Sequence, residues 1–160
     1  MNSWPGIWSR RTTFKDGDGD LINMSSNRAL VSIVEAFVKK VKFLTLDIFH
    51  RCKEDPKVYR TKERIFLICA ADPNKVVDRV GKVVFRYRDH IIAGDGFFFE
   101  KSNAGDFRGH VTMDNFNDFD YIAEKIRDIY EHADQDLCDM YKQVFLELLE
   151  LYIDYCVARG

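Results

Sequence analysis

The sequence is short of the residues that interrupt helices, with three prolines and nine glycines in 160 residues. Proline and glycine are the costliest residues inside a helix, so their scarcity leaves room for long uninterrupted ones. Long apolar runs are missing too. The apolar stretches are short and cut by charges, which excludes a spanning helix of about 20 apolar residues. No apolar stretch opens the chain, so no signal peptide is expected. Neither sign of charge is in excess: 24 Lys and Arg stand against 26 Asp and Glu, a formal net charge of −2. No global basic field would draw in nucleic acid, and a nucleic-acid partner is not expected. Recognisable catalytic motifs are missing as well: no glycine-rich phosphate loop follows a strand, and there is no Gly-x-Ser-x-Gly. Acidic pairs such as Glu147 and Glu150 fall on expected solvent faces. The chain is therefore read as a non-enzyme, with no catalytic residue and no cofactor.

What is present is apolar and aromatic. Apolar residues make up 46% of the chain and charged ones 31%, with thirteen Phe and seven Tyr. That composition belongs to a globular domain, and 160 residues suffice for one domain with a real core. Cys52, Cys69, Cys138 and Cys156 are far apart within expected helices, as free thiols in a reducing compartment would be. An intracellular location follows, cytoplasm or nucleus, with a virion as an option.

Leu137 to Arg159 is the strongest helical signal. Leu137, Tyr141, Val144, Phe145, Leu148, Tyr152 and Tyr155 recur at three-and-four spacing. Leu146, Leu149, Ile153 and Val157 widen that face, so this helix should be packed on several sides. A helix from Ser25, Ser26 or Asn27 should run to the Lys53–Pro56 break, showing Leu30, Val31, Val34, Phe37, Val38, Val41, Leu44 or Thr45, and Ile48 to the core. Val58 to Ala71 should be a helix, with a strand over Arg64–Ala70 as the alternative. Asp72 and Pro73 should open a helix running from Lys75 to Ala93, and Gly81 inside it points to close approach of another helix. A last helix should cover 118 or 119 to His132. The expectation is an all-α fold: one compact bundle of about five helices around a buried C-terminal helix. Residues 1–24 would form an extended N-terminal arm and residues 25–160 the helical domain.

Trp4 and Trp8 stand in the polar arm, and large apolar side chains are seldom left in water. They, with Phe97, Phe98 and Phe99, are the candidate partner-binding residues, other proteins or a second copy being the partner. The phenylalanines would alternatively plug the end of the bundle. Asp16, Asp18 and Asp20, around Gly17 and Gly19, resemble the start of a calcium loop. Aligned on Gly19, however, the first ligand position is Phe14 and the twelfth is Ser25. His50 with Cys52, and His132 with Cys138, lack the second pair that a zinc site needs. Arg60, Lys62, Arg64, Lys75, Arg79, Lys82, Arg86 and Arg88 would form a basic stripe if the two middle helices lie side by side, although the acidic segment from Asp114 to Asp139 would dilute it.

Two resemblances carry functional implications. Ala93-Gly94-Asp95-Gly96-Phe97 resembles the Gly-Asp core of Bcl-2-type apoptosis regulators, which would imply a groove for an amphipathic helix. His90 stands where that motif wants an apolar residue, and the Asn-Trp-Gly-Arg segment is absent. The layout of LVSIVEAFVKKV, VGKVVFRYRDHIIAGDGFFFE and YKQVFLELLELYIDYC is similar to small helical proteins of large nucleocytoplasmic DNA viruses. That resemblance implies a viral interaction or structural protein and carries over no site residue.

Overall fold

The computed structural model describes residues 19–96, 98, 99 and 117–160. Trp4, Trp8, Asp16, Asp18 and Phe97 lie outside them, as does most of the expected arm. Among the described residues there are six α-helices and no strand. They are α1 (Gly19–Arg51), α2 (Pro56–Ala71), α3 (Pro73–Arg86), α4 (Arg88–Ala93), α5 (Asn117–His132) and α6 (Gln135–Arg159).

Two long helices, α1 and α6, lie antiparallel at the centre. Lys40 meets Glu147 at 2.7 Å, and about two helical turns further along the Tyr141 hydroxyl donates to Asp47 at 2.8 Å. Phe37, Ile48, Tyr141, Leu148 and Leu149 are fully buried between them and their neighbours. The C-terminal helix is thus packed on several sides as its breadth of apolar residues demands, by α1, α3 and α4. The centre is shared, however, because α1 packs against α2, α3, α5 and α6. α1 begins at Gly19, ahead of the Ser25–Asn27 capping signal. Ser and Asn cost less than about 0.7 kcal/mol inside a helix relative to Ala, so a capping residue permits a start without forcing one.

The joints follow local chemistry. Asp55 caps α2 by accepting from the Lys57 backbone N–H, with Pro56 at the first position. Asp72 ends α2 and caps α3, accepting from the Lys75 N–H, with Pro73 following. Each proline forgoes only an N–H that has no helical partner there. The segment 58–71 is helical throughout, and Val58, Thr61, Ile65 and Cys69 form its buried face. A single helix from Lys75 to Ala93 does not form, because Tyr87 leaves helical geometry (φ −101°, ψ 20°) and α4 sets off in a new direction. The Tyr87 ring packs edge-on against Phe98, with centroids 5.2 Å apart. No proline or glycine marks the break in the sequence. Gly94 then ends α4 with φ of 68°, a left-handed conformation that glycine adopts without strain.

Arg64 holds the start of α5 to α2, donating from Nε and Nη2 to the nearly buried Asp118 carboxylate at 2.8–3.1 Å. Gly81 of α3 lies against the face of Tyr152, so a Cβ there would overlap the ring. The mid-helix glycine therefore marks the close approach its sequence position suggests. Gly81→Ala should destabilise the domain by about 1–3 kcal/mol through overpacking, although Ala is the better helix former by about 1 kcal/mol. Urea denaturation measures the difference, and adding Tyr152→Leu should recover part of the loss. A stabilised Gly81→Ala would refute the contact.

The Lys40–Glu147 pair sets a second expectation. Burial alone would raise the Glu147 pKa, but hydrogen bonds from Lys40 and Gln143 hold it below the ordinary glutamate value. A depressed carboxyl pKa contributes stability that is complete above the unfolded value, ~4.3, and is lost as pH falls through the folded value. Because both side chains are about one-third exposed, the contribution should stay below about 1 kcal/mol. Glu147→Gln should flatten stability against pH below ~4.5 by that amount, as read by denaturant titrations between pH 3 and 6.

Candidate interaction surface

Exposed apolar groups gather where α1 and α2 meet. Phe49 lies 5.9 Å from Tyr59, and Lys42 lies 5.5 Å over Phe66, so the two helices run antiparallel along this seam. On the outer side of α1, Phe43 and Leu46 are three residues apart and stay 48% and 36% exposed. Tyr59 on α2 is 49% exposed, and Phe49 and Phe66 are half-buried. Phe49, Tyr59 and Phe66 line the seam, and Phe43 and Leu46 stand exposed on the neighbouring outer side of α1; the two together are the α1–α2 band. Groups of this size in water are a cost that a fold avoids by facing them inward, and contiguous exposed apolar patches mark interaction sites.

The band has a charged centre. The Lys62 ammonium sits 4.6 Å from the Phe49 ring centre, 4.9 Å from Tyr59 and 6.0 Å from Phe66. Its side chain is only 15% exposed, and Glu63 pairs with it at 3.2 Å. A cation over three aromatic faces is held by their negative quadrupoles. Lys39, on the exposed face one turn before Phe43, and Lys42 extend the positive rim. An apolar strip bordered by lysines complements a surface that is apolar along one line and acidic beside it.

A second feature lies at the end of the bundle. An open groove of about 650 Å³ is lined by Arg51, Cys52, Lys125, Asp128, Ile129, His132, Ala133 and Leu137. Its cations are already engaged. Arg51 donates to Asp47 at 3.0 Å, which raises its pKa. Burial would lower the Lys125 pKa, but Tyr121 and Asp55 beside it raise it on balance. Asp55 is held low mainly by the Lys57 backbone N–H. Arg51 and His132 occupy the last turns of α1 and α5, where a cation offsets the carbonyl end of the helix. Structural pairing accounts for this groove, whereas among the described residues Phe43 and Leu46 stay 48% and 36% exposed.

The residues singled out from sequence distribute unevenly. Phe98 and Phe99 are buried at 5% and 4% exposure, against Tyr87, Phe145 and Tyr130. They plug the core and present no surface to a partner, a correction to the partner-binding expectation. Asp20 lies in the first turn of α1, so helix replaces the turn that Gly19 would make in a calcium loop. Among the described residues no group of three or more His, Cys, Asp or Glu is placed to hold a metal ion. Gly94 and Asp95 lie at and beyond the end of α4, where Asp95 meets His90 at 2.8 Å. Burial pushes the Cys69 thiol up to about 11, while Cys156 is exposed. No described helix is long and apolar enough to cross a membrane. The supposed stripe over two helices is also divided, because Lys62 turns into the aromatic seam and Arg64 onto Asp118.

Sequence reasoning missed the α1–α2 band. Phe43, Leu46 and Phe49 are apolar residues outside the expected core face of this helix, but an isolated exposed apolar residue is ordinary. Only the antiparallel placement of α2 joins them to Tyr59 and Phe66. No protein-family model matches the chain, and no curated protein and no solved structure matches it.

Lys62→Ala should cost about 1–2 kcal/mol by removing both stem packing and charge from the three rings. Lys62→Met keeps the stem and should cost less than Ala but still measurably. If Met equals or exceeds wild-type stability in urea denaturation, the charge contributes nothing to the seam.

Proposed function

We propose that this chain is a non-enzymatic protein-binding protein whose contact surface is the α1–α2 band. The observation that carries the reading is the exposed row of Phe43, Leu46 and Tyr59 around the caged Lys62. The partner offers an amphipathic helix, apolar on one face and acidic beside it. Phe43, Leu46 and Tyr59 supply the apolar contact, and Lys39 and Lys42 meet the carboxylates. The layout shared with small helical proteins of large nucleocytoplasmic DNA viruses supports a viral accessory or virion role inside the cell. The segment ahead of α1, with Trp4 and Trp8, is a second place for the partner to hold.

The test begins with affinity capture from the native cell or virion, using the full chain, a chain lacking 1–18, and the double variant Phe43→Glu/Leu46→Glu. Binding of each recovered protein is then measured with purified components. Apolar anchors at an interface centre contribute about 2 kcal/mol or more each, so the double variant should bind at least ~100-fold more weakly at unchanged Tm. Ile92→Glu, at an exposed apolar position on α4, should bind as wild type. Equal binding by the double variant would overturn the band, and loss only on truncation would assign recognition to the segment ahead of α1.

A further inference from the structure

The outer side of α1 carries a row at four-residue spacing: Val31, Glu35, Lys39 and Phe43. Each step of four residues turns about 40° around the helix, so the four form one of the ridges along which helices pack. All four are exposed, Val31 at 57% although its place in the apolar pattern points inward. The neighbouring cations turn elsewhere: Lys40 pairs with Glu147 of α6, and Lys42 lies over Phe66 of α2. Of these three lysines, Lys39 alone is exposed.

α2 flanks only the later part of this row. It runs beside α1 from Tyr59 at Phe49 to Phe66 at Lys42, and it ends at Ala71. Two antiparallel helices rise equally per residue, so α2 stops at about the level of Phe37. Val31 and Glu35 lie beyond that level, where α1 offers its outer side to another helix.

The row is its own complement when reversed. Read forward it is apolar, acidic, basic and apolar. Laid antiparallel across a copy of itself, with the two-fold axis at the level of Phe37, it sets Val31 opposite Phe43 and Glu35 opposite Lys39. Each contact then occurs twice, as a two-fold interface requires. Leu46 comes opposite Arg28, whose stem is aliphatic. Ridges of this kind interdigitate with the helix axes crossing at roughly 50°. A parallel copy in the same register would instead set Glu35 on Glu35 and Lys39 on Lys39, and like charges oppose that arrangement.

We propose that the chain pairs with a second copy of itself through the outer side of α1, antiparallel, with Val31 on Phe43 and Glu35 on Lys39 of the other copy. A single row is well short of the about 800 Å² per partner of a standard interface, so the pair dissociates on dilution. Pairing covers Phe43 and Lys39, so the second copy competes with any other occupant of the α1–α2 band. It does not rest on that band holding another protein.

The test is sedimentation of the purified full chain alone, from ~5 μM to ~1 mM, where the average mass should rise from monomer toward dimer. Glu35→Lys and Lys39→Glu each bring like charges together at both contacts and should weaken association about tenfold or more. An equal mixture of these two variants brings opposite charges together at both contacts and should associate as wild type does. Mixing cannot repair a helix weakened inside each chain by the loss of its own Glu35–Lys39 spacing, so the rescue identifies a contact between copies. Phe43→Ala should weaken association and Ile92→Glu should leave it unchanged. A monomer at every concentration would overturn the proposal. So would association unmoved by the single charge variants, or a mixture of the two that stays monomeric.

Discussion

Everything in this fold is placed relative to the antiparallel pair α1 and α6. Each is too apolar to be covered by the other alone, since a helix buries one stripe per neighbour. The surplus on α6 is taken up by α3 and α4, and that on α1 by α2, α3 and α5. Tyr141 shows the constraint in one residue. Its ring is fully buried, while its hydroxyl reaches Asp47 on the partner helix, and Asp47 also receives Arg51. Burial, and then the neighbouring carboxylate, drive its pKa upward, so the phenol stays protonated and the donor bond persists. One side chain thus fixes both the depth and the register of the central pair.

The same pair governs which surfaces remain for function. With its core face toward α6, α3 and α5, α1 must leave Phe43 and Leu46 outside, and α2 closes only one edge of it. The aromatic seam and its caged lysine arise at that edge. α3, wedged against Tyr152 by a residue with no side chain, buries its valines and turns its cations outward. The two helices present different outer faces because they differ in amphipathicity: α1 is apolar over much of its circumference, and α3 is divided cleanly.

Local signals were legible at most of the joints, though the Ser25–Asn27 cap did not start α1. Asp55 with Pro56, Asp72 with Pro73, and Gly94 each fix a helix end by a cap, a locked φ or a left-handed turn. Gly81 announced a close contact without naming its partner. The break at Tyr87 left no local trace, since tyrosine is tolerated inside helices. The phenylalanines near 98 were legible as apolar and ambiguous in use. An apolar residue in a loop-like segment serves a core or a partner equally well until the neighbours are known.

By itself, the sequence determined the helical class, the breadth of the C-terminal apolar face and most of the joints. These depend on periodicity and on backbone preferences carried by single residues. The tertiary structure alone decided that α1 shares the centre and that Lys62 and Arg64 leave the basic row for aromatic and carboxylate partners. Those outcomes depend on which residues distant in the chain become neighbours, and pairwise attraction between side chains has no signature until the helices are in place.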